Sequence, residues 1–260
     1  MVCLWLGQWK VIYMNKVKEK SPILITGGSR GIGRGIAIEL AKRGADVIIT
    51  YNTNKNGADK TCKAVQEYGA ECGVYRMDIS DEDNVKKCMN EIHEEYGKVY
   101  GIINNAGAYM RTSIEDLTTE KWKRTMDINL NGPYYVTMNG LDMIKDGGTL
   151  IYLGSMIAKI GRTHGIDYSS AKAGLTGFAR SMMHSLSHRK IRVNIIAPGY
   201  VYTDILGMPT GDALKKRENE VPLGRVAYPE DIGKLAAFLV LDDTYINGEV
   251  ININGGLMLD

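Results

Sequence analysis

The sequence predicts an α/β fold: one doubly wound domain with a seven-stranded parallel sheet and helices on both faces. Three observations lead there. From Pro22 onward, short apolar runs alternate with longer segments of helical period, the pattern of repeated strand-helix-strand units. The first apolar run ends in a glycine-rich turn that opens directly into a helix. The 260 residues show no internal repeat, low-complexity tract or interdomain linker, and this length suits one core better than two halves.

Taken in order, the first strand is expected over residues 23–26, an apolar run between Pro22 and Gly27, and a helix follows over 33–43, before Gly44. The β-branched run Val47-Ile48-Ile49 places the second strand over 46–50, with a helix over 56–68 ending at Gly69. Strands at 72–77 and 101–104 bracket a helix over 81–96. A long helical segment over 120–143 leads to the strongly apolar strand 149–154. Helix 168–187, strand 192–197, helix 229–239 and strand 250–253 complete the series. Right-handed crossovers would then cover both faces of the sheet. One long segment, 199–224, has no clear period and carries Pro209, Gly211 and a charged run from Lys215 to Glu220. A connection of that length in a compact domain is expected to be a lid or binding loop, the alternative being a solvated excursion.

Composition narrows the function classes. With 44% hydrophobic and 24% charged residues and a formal charge of +2, the chain lacks the basic excess of a nucleic-acid binder. Residues 1–13 are apolar and aromatic, but Lys10 interrupts a run already short of the roughly 20 residues a membrane span needs. Lys16, Lys18 and Lys20 follow the apolar part, the reverse of a signal peptide. Residues 1–20 are therefore read as an N-terminal extension with Met14 as the native start, and 21–260 as the domain. Cys3, Cys62, Cys72 and Cys88 form no CxxC pair and have no histidine at metal-ligand spacing, so reduced thiols, a cytoplasmic location and no metal are expected.

The turn after the first strand reads Thr26-Gly27-Gly28-Ser29-Arg30-Gly31-Ile32-Gly33. Glycines there let the backbone approach a pyrophosphate, and the free amides and dipole of the following helix attract its charge. A Rossmann-like dinucleotide site is expected, with Gly27, Ser29, Arg30, Gly31, Ile32 and Gly33 as its loop. The second strand ends Thr50-Tyr51-Asn52, with no carboxylate to hold ribose hydroxyls or repel a 2′-phosphate. Arg30 offers a guanidinium fork for that phosphate, which favours NADP(H), with Asn52 at the ribose.

Tyr168 and Lys172 stand four residues apart, on one helix face. A phenol near pKa 10 works poorly as an acid at neutral pH, and a neighbouring ammonium stabilises its phenolate. Ser155 follows the apolar strand Leu150-Ile151-Tyr152-Leu153, at the carboxyl edge where open α/β sheets bind ligands. Its hydroxyl can donate to a carbonyl oxygen as charge develops. An isolated YxxxK is more often a surface pair, and only its setting raises it to a candidate site.

Together TGGSRGIG, Ser155 and the Tyr168/Lys172 pair resemble the short-chain dehydrogenase/reductase family, over residues 21–260. The resemblance implies further roles. Asn105, Ala106 and Gly107, in Asn104-Asn105-Ala106-Gly107, would line the adenosine side; Asp78 would contact adenine; Pro198, Gly199 and Thr203 would approach the nicotinamide carboxamide; and Tyr168 and Lys172 would also touch the cofactor. Asn129, chosen over nearby Asn131, would hold a water beyond Lys172. Val221-Pro222-Leu223-Gly224-Arg225 and the glycines Gly248, Gly255 and Gly256 are most similar to the 3-oxoacyl-[acyl-carrier-protein] reductase group. That likeness implies NADPH-dependent reduction of a 3-oxoacyl thioester, a homotetramer with the C-terminal strand at an interface, and acyl carrier protein as a partner. His188-Arg189-Lys190 is a candidate patch for such an acidic partner, or a set of cations complementing a helix C-terminus. The chain departs from the group where Gly165 replaces an expected glutamine, with Arg162 and His164 upstream. Arg162 is read either as facing an anionic substrate or as facing water, and His164 as incidental. The competing functions are an alcohol or sugar dehydrogenase and a non-catalytic dinucleotide sensor.

Overall fold

A computed structural model describes residues 21–258; the expected extension, Met14 and Cys3 lie outside them. Seven strands, β1 (Ile23–Ile25), β2 (Val47–Tyr51), β3 (Cys72–Arg76), β4 (Val99–Asn104), β5 (Ile144–Leu153), β6 (Arg192–Pro198) and β7 (Val250–Ile253), form one sheet in the order β3-β2-β1-β4-β5-β6-β7. Every pairing is parallel. The order reverses between β1 and β4, so the loops leaving these two strands diverge and open a crevice at their carboxyl ends.

The helices are α1 (Gly31–Ala41), α2 (Lys55–Gln66), α3 (Glu82–Tyr96), α4 (Thr119–Met126), α5 (Gly132–Gly140), α6 (Ile157–Ile160), α7 (Ile166–Leu186), α8 (Gly211–Glu220) and α9 (Pro229–Ala237). Strand side chains alternate between two buried layers. Ile23, Ile25, Val47 and Ile49 pack with Ile36, Leu40 and Ile232 of α1 and α9. Leu24, Ile48, Ile102 and Leu150 pack with Val85, Val136 and Leu175 of α3, α5 and α7. With both faces covered, the strands need apolar residues at successive positions, which is why they read as unbroken hydrophobic runs.

Three local expectations are corrected. The helix expected over 120–143 is interrupted: α4 passes through a π-helical turn, Asp127–Asn131, into α5. Pro133 enters α5 in its first turn and has no N–H to donate backward, and the wider turn precedes it. The segment after β6 is not all loop. It holds a 3₁₀ turn, Asp204–Leu206, and α8, which covers the charged run. Of α8, Leu214 joins the small apolar cluster of Met156, Tyr200 and Val221, so no hydrophobic period marked the helix. Finally, Cys62 and Cys72 are joined as a disulfide rather than standing as reduced thiols, with Cα atoms 5.4 Å apart. The short connection between them turns α2 back onto the start of β3, across a sequence separation of 10 that the absence of a CxxC spacing concealed. Cys88 is a buried free thiol. Among the described residues no helix is long and apolar enough to cross a membrane.

Candidate active site

One cleft of about 540 Å³ runs along the carboxyl edge of the sheet from the β1 turn to the α8 helix. Its walls include Gly27, Ser29, Arg30, Gly31, Ile32, Gly33, Asn52, Asp78, Asn105, Ala106, Gly107, Ser155, Tyr168, Lys172, Pro198, Gly199 and Thr203. The sequence-predicted residues are thus brought together from six strand ends, with Asn129 just behind the wall.

The glycine-rich turn is held from beneath. Asn105 Nδ2 donates to the carbonyls of Thr26 (2.8 Å) and Gly27 (3.2 Å), while the amides of Asn105 and Ala106 donate to Thr26 Oγ1. A Cβ on Gly33 would lie 2.3 Å from the Gly27 carbonyl oxygen and 2.6 Å from Asn105 Nδ2. Only glycine lets the helix start this close to the turn, where its amides can face a phosphate. At the far end of this half, Asp78 accepts from the Ser80 amide (3.0 Å) and hydroxyl (2.7 Å). Burial pushes its carboxyl up, but the bonds from Ser80 and Asn52 and the charge of Arg124 outweigh this and hold it below the ordinary value. Arg30 reaches over the cleft to Asp204 at 3.0 Å, and both side chains remain largely open to solvent.

The other half surrounds Tyr168. Ser155 leaves β5, accepts at Oγ from the Ile157 amide at 3.3 Å, and lines the same cleft wall as Tyr168. Burial pushes the Tyr168 phenol up to about 12; the Ser155 hydroxyl opposes the rise and Tyr109 adds to it. Lys172 Nζ donates to the Leu153 carbonyl at 2.8 Å and lies 5.7 Å from the centre of the Tyr168 ring. Only 3% of Lys172 is exposed, and burial lowers its ammonium to about 8. Asn129 sits in the π-helical turn and is fully buried. Its Nδ2 donates to the carbonyls of Ala108 (2.9 Å) and Thr125 (3.1 Å), and its Oδ1 accepts from the Ala108 amide. It braces the loop beside Lys172. Asn131 instead donates to Asp127 within its own helix.

Several residues that sequence reasoning passed over shape this half. Asp167, buried, accepts from Thr125 Oγ1 at 2.6 Å and from the Tyr168 amide at 2.9 Å, fixing the entry of α7. Ser169 Oγ donates to the Ile157 carbonyl and ties α7 to α6. Tyr109 packs 5.0 Å from the Tyr168 ring and donates to the His164 carbonyl at 2.7 Å. It also explains Gly165. A Cβ there would lie 2.4 Å from Tyr109, and its φ is +98°, so Tyr109 takes the space of the expected glutamine side chain. Position 109 follows the Asn-Asn-Ala-Gly run by only two residues, a signal that proximity to a recognised motif offered. His164 does not line the cleft, whereas Arg162 does. Of the 188–190 patch, Arg189 turns inward to Asp146 (2.8 Å) and to the carbonyls of Leu141 and Ile144, bracing the start of β5.

This arrangement supplies a glycine-rich turn, a serine and a tyrosine in one cleft wall, and a buried lysine at one sheet edge. Residues 27–258 match a family profile described as enoyl-(acyl carrier protein) reductase, and the chain belongs to this family of short-chain dehydrogenases/reductases, which are oxidoreductases. It is 34% identical over 248 residues to the hydroxynaphthalene reductase-like protein Arp2 of Metarhizium brunneum, covering 90% of this chain and 93% of that protein. It is also 34% identical over 242 residues to the 3-oxoacyl-[acyl-carrier-protein] reductase FabG of Aquifex aeolicus, covering 90% and 96%. Among solved structures, a short-chain dehydrogenase from Burkholderia cenocepacia in complex with NADP superposes with a TM-score of 0.86 at 29% identity, covering 92% of this chain and 98% of that one. A blue fluorescent protein from a metagenomic library, in complex with NADPH, gives 0.85 at 29% identity over the same shares.

Proposed function

We propose that the protein is an NADPH-dependent carbonyl reductase whose substrate is a 3-oxoacyl thioester. The observation that carries this reading is the Tyr168 phenol, set beside Lys172 and sharing one cleft wall with Ser155 and an Arg30-bearing glycine turn. The cradle fits NADP(H): Gly33 leaves room for backbone to meet a phosphate, Arg30 is a guanidinium in the turn, and β2 ends at Tyr51 and is followed by Asn52 rather than by a carboxylate. Gly27, Ser29, Arg30, Gly31, Ile32, Gly33, Asn52, Asp78, Asn105, Ala106, Gly107, Pro198, Gly199 and Thr203 would hold it. When bound it supplies a hydride to the carbonyl carbon.

The protein's own residues do the rest. Ser155 Oγ and the Tyr168 hydroxyl donate to the carbonyl oxygen as negative charge grows there. Tyr168 then gives up its proton, so the carbonyl gains a hydride at carbon and a proton at oxygen. Lys172 stabilises the phenolate left behind, offsetting the burial that otherwise keeps the phenol protonated. A proton relayed through Lys172 then restores the phenol, and Asn129 shapes the route by which Lys172 regains that proton from solvent. A cytoplasmic homotetramer served by acyl carrier protein belongs to the same reading, supported by the kinship to 3-oxoacyl-[acyl-carrier-protein] reductases. A planar aromatic ketone is a second reading, favoured by the Tyr109 and Tyr200 rings in the cleft wall and by the Arp2 relatives.

The test is oxidation of NADPH and of NADH with acetoacetyl-CoA, crotonyl-CoA and 2-tetralone. Rapid NADPH oxidation with acetoacetyl-CoA alone supports the reading. Turnover of 2-tetralone alone transfers it to the aromatic ketone, and turnover of crotonyl-CoA alone to reduction of a carbon-carbon double bond.

A further inference from the structure

At the end of the cleft away from the glycine turn, two guanidinium groups are stacked on one phenol ring. Arg162, from the segment between α6 and α7, lies 5.1 Å from the centre of the Tyr200 ring and donates to its hydroxyl. Arg217, from α8, lies 4.9 Å from the same centre. The Tyr200 hydroxyl donates in turn to Glu220 Oε2 at 2.8 Å. Arg162, Arg217 and Tyr200 line the same continuous cleft as Tyr168, and Arg111, from the loop after β4, lines it too.

Charge makes this cluster unusual. Two cations share one ring while a single carboxylate, Glu220, is bonded to that ring. Like charges held this close repel; Tyr200 is buried and Arg217 half-buried, while Arg162 stands exposed at the cleft mouth, where an entering group can reach it. Stacking also restricts the side-chain freedom of the two arginines, so their planar donors are preset for a carboxylate or phosphate. Arg30 is paired separately with Asp204, whereas Tyr200, which carries the arginine pair, belongs to the apolar cluster against which Tyr168 packs, so the pair lies on the Tyr168 side of the cleft.

We infer that Arg162 and Arg217 form a receiving site for an anionic group on the substrate, so that the carbonyl compound reduced at Tyr168 carries a carboxylate or a phosphate. This inference rests on the carbonyl reductase reading. The anion has two possible sources: a carboxylate at the far end of the acyl chain, or the phosphate of a pantetheine arm on the thioester side.

Three matched probes separate them with NADPH: acetoacetyl-N-acetylcysteamine, which is neutral; its 3-oxoadipyl analogue, which adds a carboxylate; and acetoacetyl-CoA, which adds phosphates. The wild type should favour at least one anionic probe over the neutral one by about tenfold in kcat/KM, and Arg162→Met and Arg217→Met should each erase about tenfold of that ratio. Arg162→Lys and Arg217→Lys should restore part of it. A preference for the carboxylate probe assigns the acyl end, and a preference for acetoacetyl-CoA assigns the pantetheine phosphate. Equal kcat/KM for all three probes, or variants that lower all three alike, overturns the anion site and leaves the reductase intact. If no probe turns over, the reductase reading fails, and the anion site is decided by calorimetry of glutarate and of 4′-phosphopantetheine with the NADP-loaded protein. Binding of either that weakens about tenfold in both Met variants supports the site on its own. Binding that is absent, or equal in all variants, overturns it.

Discussion

Arg30 of the glycine turn and Asp204 of the 3₁₀ turn after β6 form an ion pair 3.0 Å long that bridges two walls of the cofactor cleft. Both are well exposed, so the pair contributes at most about 1 kcal/mol. A 2′-phosphate, with more charge and three acceptor oxygens, competes well against that carboxylate. Arg30→Ala should therefore raise KM for NADPH at least about tenfold while leaving KM for NADH nearly unchanged. Parallel initial-rate measurements with the two cofactors check this, and equal losses with both would remove Arg30 from cofactor choice.

Lys172 predicts a stability change with pH. Burial holds its ammonium at about 8, below the ordinary lysine value of 10.5, so between those values the unfolded chain binds more protons than the folded one. Stability of the cofactor-free protein should consequently rise as pH climbs from 8 toward 10. Tyr168 works in the opposite direction but higher, since its folded pKa near 12 exceeds 10.0 and costs stability only above pH 10. Urea midpoints at pH 7.5 and 9.5, compared between wild type and Lys172→Met, isolate the lysine. The increase attributable to it should vanish in the variant.

Gly165 should resist the side chain common to similar enzymes. Gly165→Gln must place a Cβ 2.4 Å from Tyr109 at a φ of +98°, and a loss of about 2–3 kcal/mol is expected. The double variant Gly165→Gln with Tyr109→Ala should recover the clash contribution but not the backbone strain. Chemical denaturation of the three proteins measures both parts.

The Cys62–Cys72 disulfide closes a ten-residue separation, which gives an entropic stabilisation of about 2–3 kcal/mol. Reduction should lower the denaturation midpoint accordingly, and Cys62→Ser should match the reduced protein. Thiol titration of the denatured protein before and after reduction should show two additional thiols after reduction.

The legible part of the molecule was the part written locally. Strand runs such as Val47 to Ile49 are apolar on both faces because helices cover both, and the Tyr168/Lys172 spacing is the pitch of one helix turn. The glycine turn was equally readable, since its residues are consecutive. Contacts closed by tertiary structure were not. Tyr109 meets Tyr168 only because the β4 loop folds over α7, and Asp167 meets Thr125 across 42 positions. The charged α8 concealed its helix because Leu214 is the one hydrophobic side chain it sends into the Tyr200 cluster, its other contacts there being made by the charged Arg217 and Glu220. Arg162 was visible as a candidate, but its partner Arg217 comes from that unread helix, so the pair could not be assembled from sequence.

The measurement closest to the central claim is the Tyr168→Phe variant, assayed for NADPH oxidation with the best carbonyl substrate and, separately, for NADPH binding. Removal of the phenolic proton should cut kcat by roughly 10²–10⁴-fold while NADPH affinity stays within about twofold. A variant that turns over at the wild-type rate would contradict Tyr168 as the proton donor and with it the mechanism proposed for this cleft.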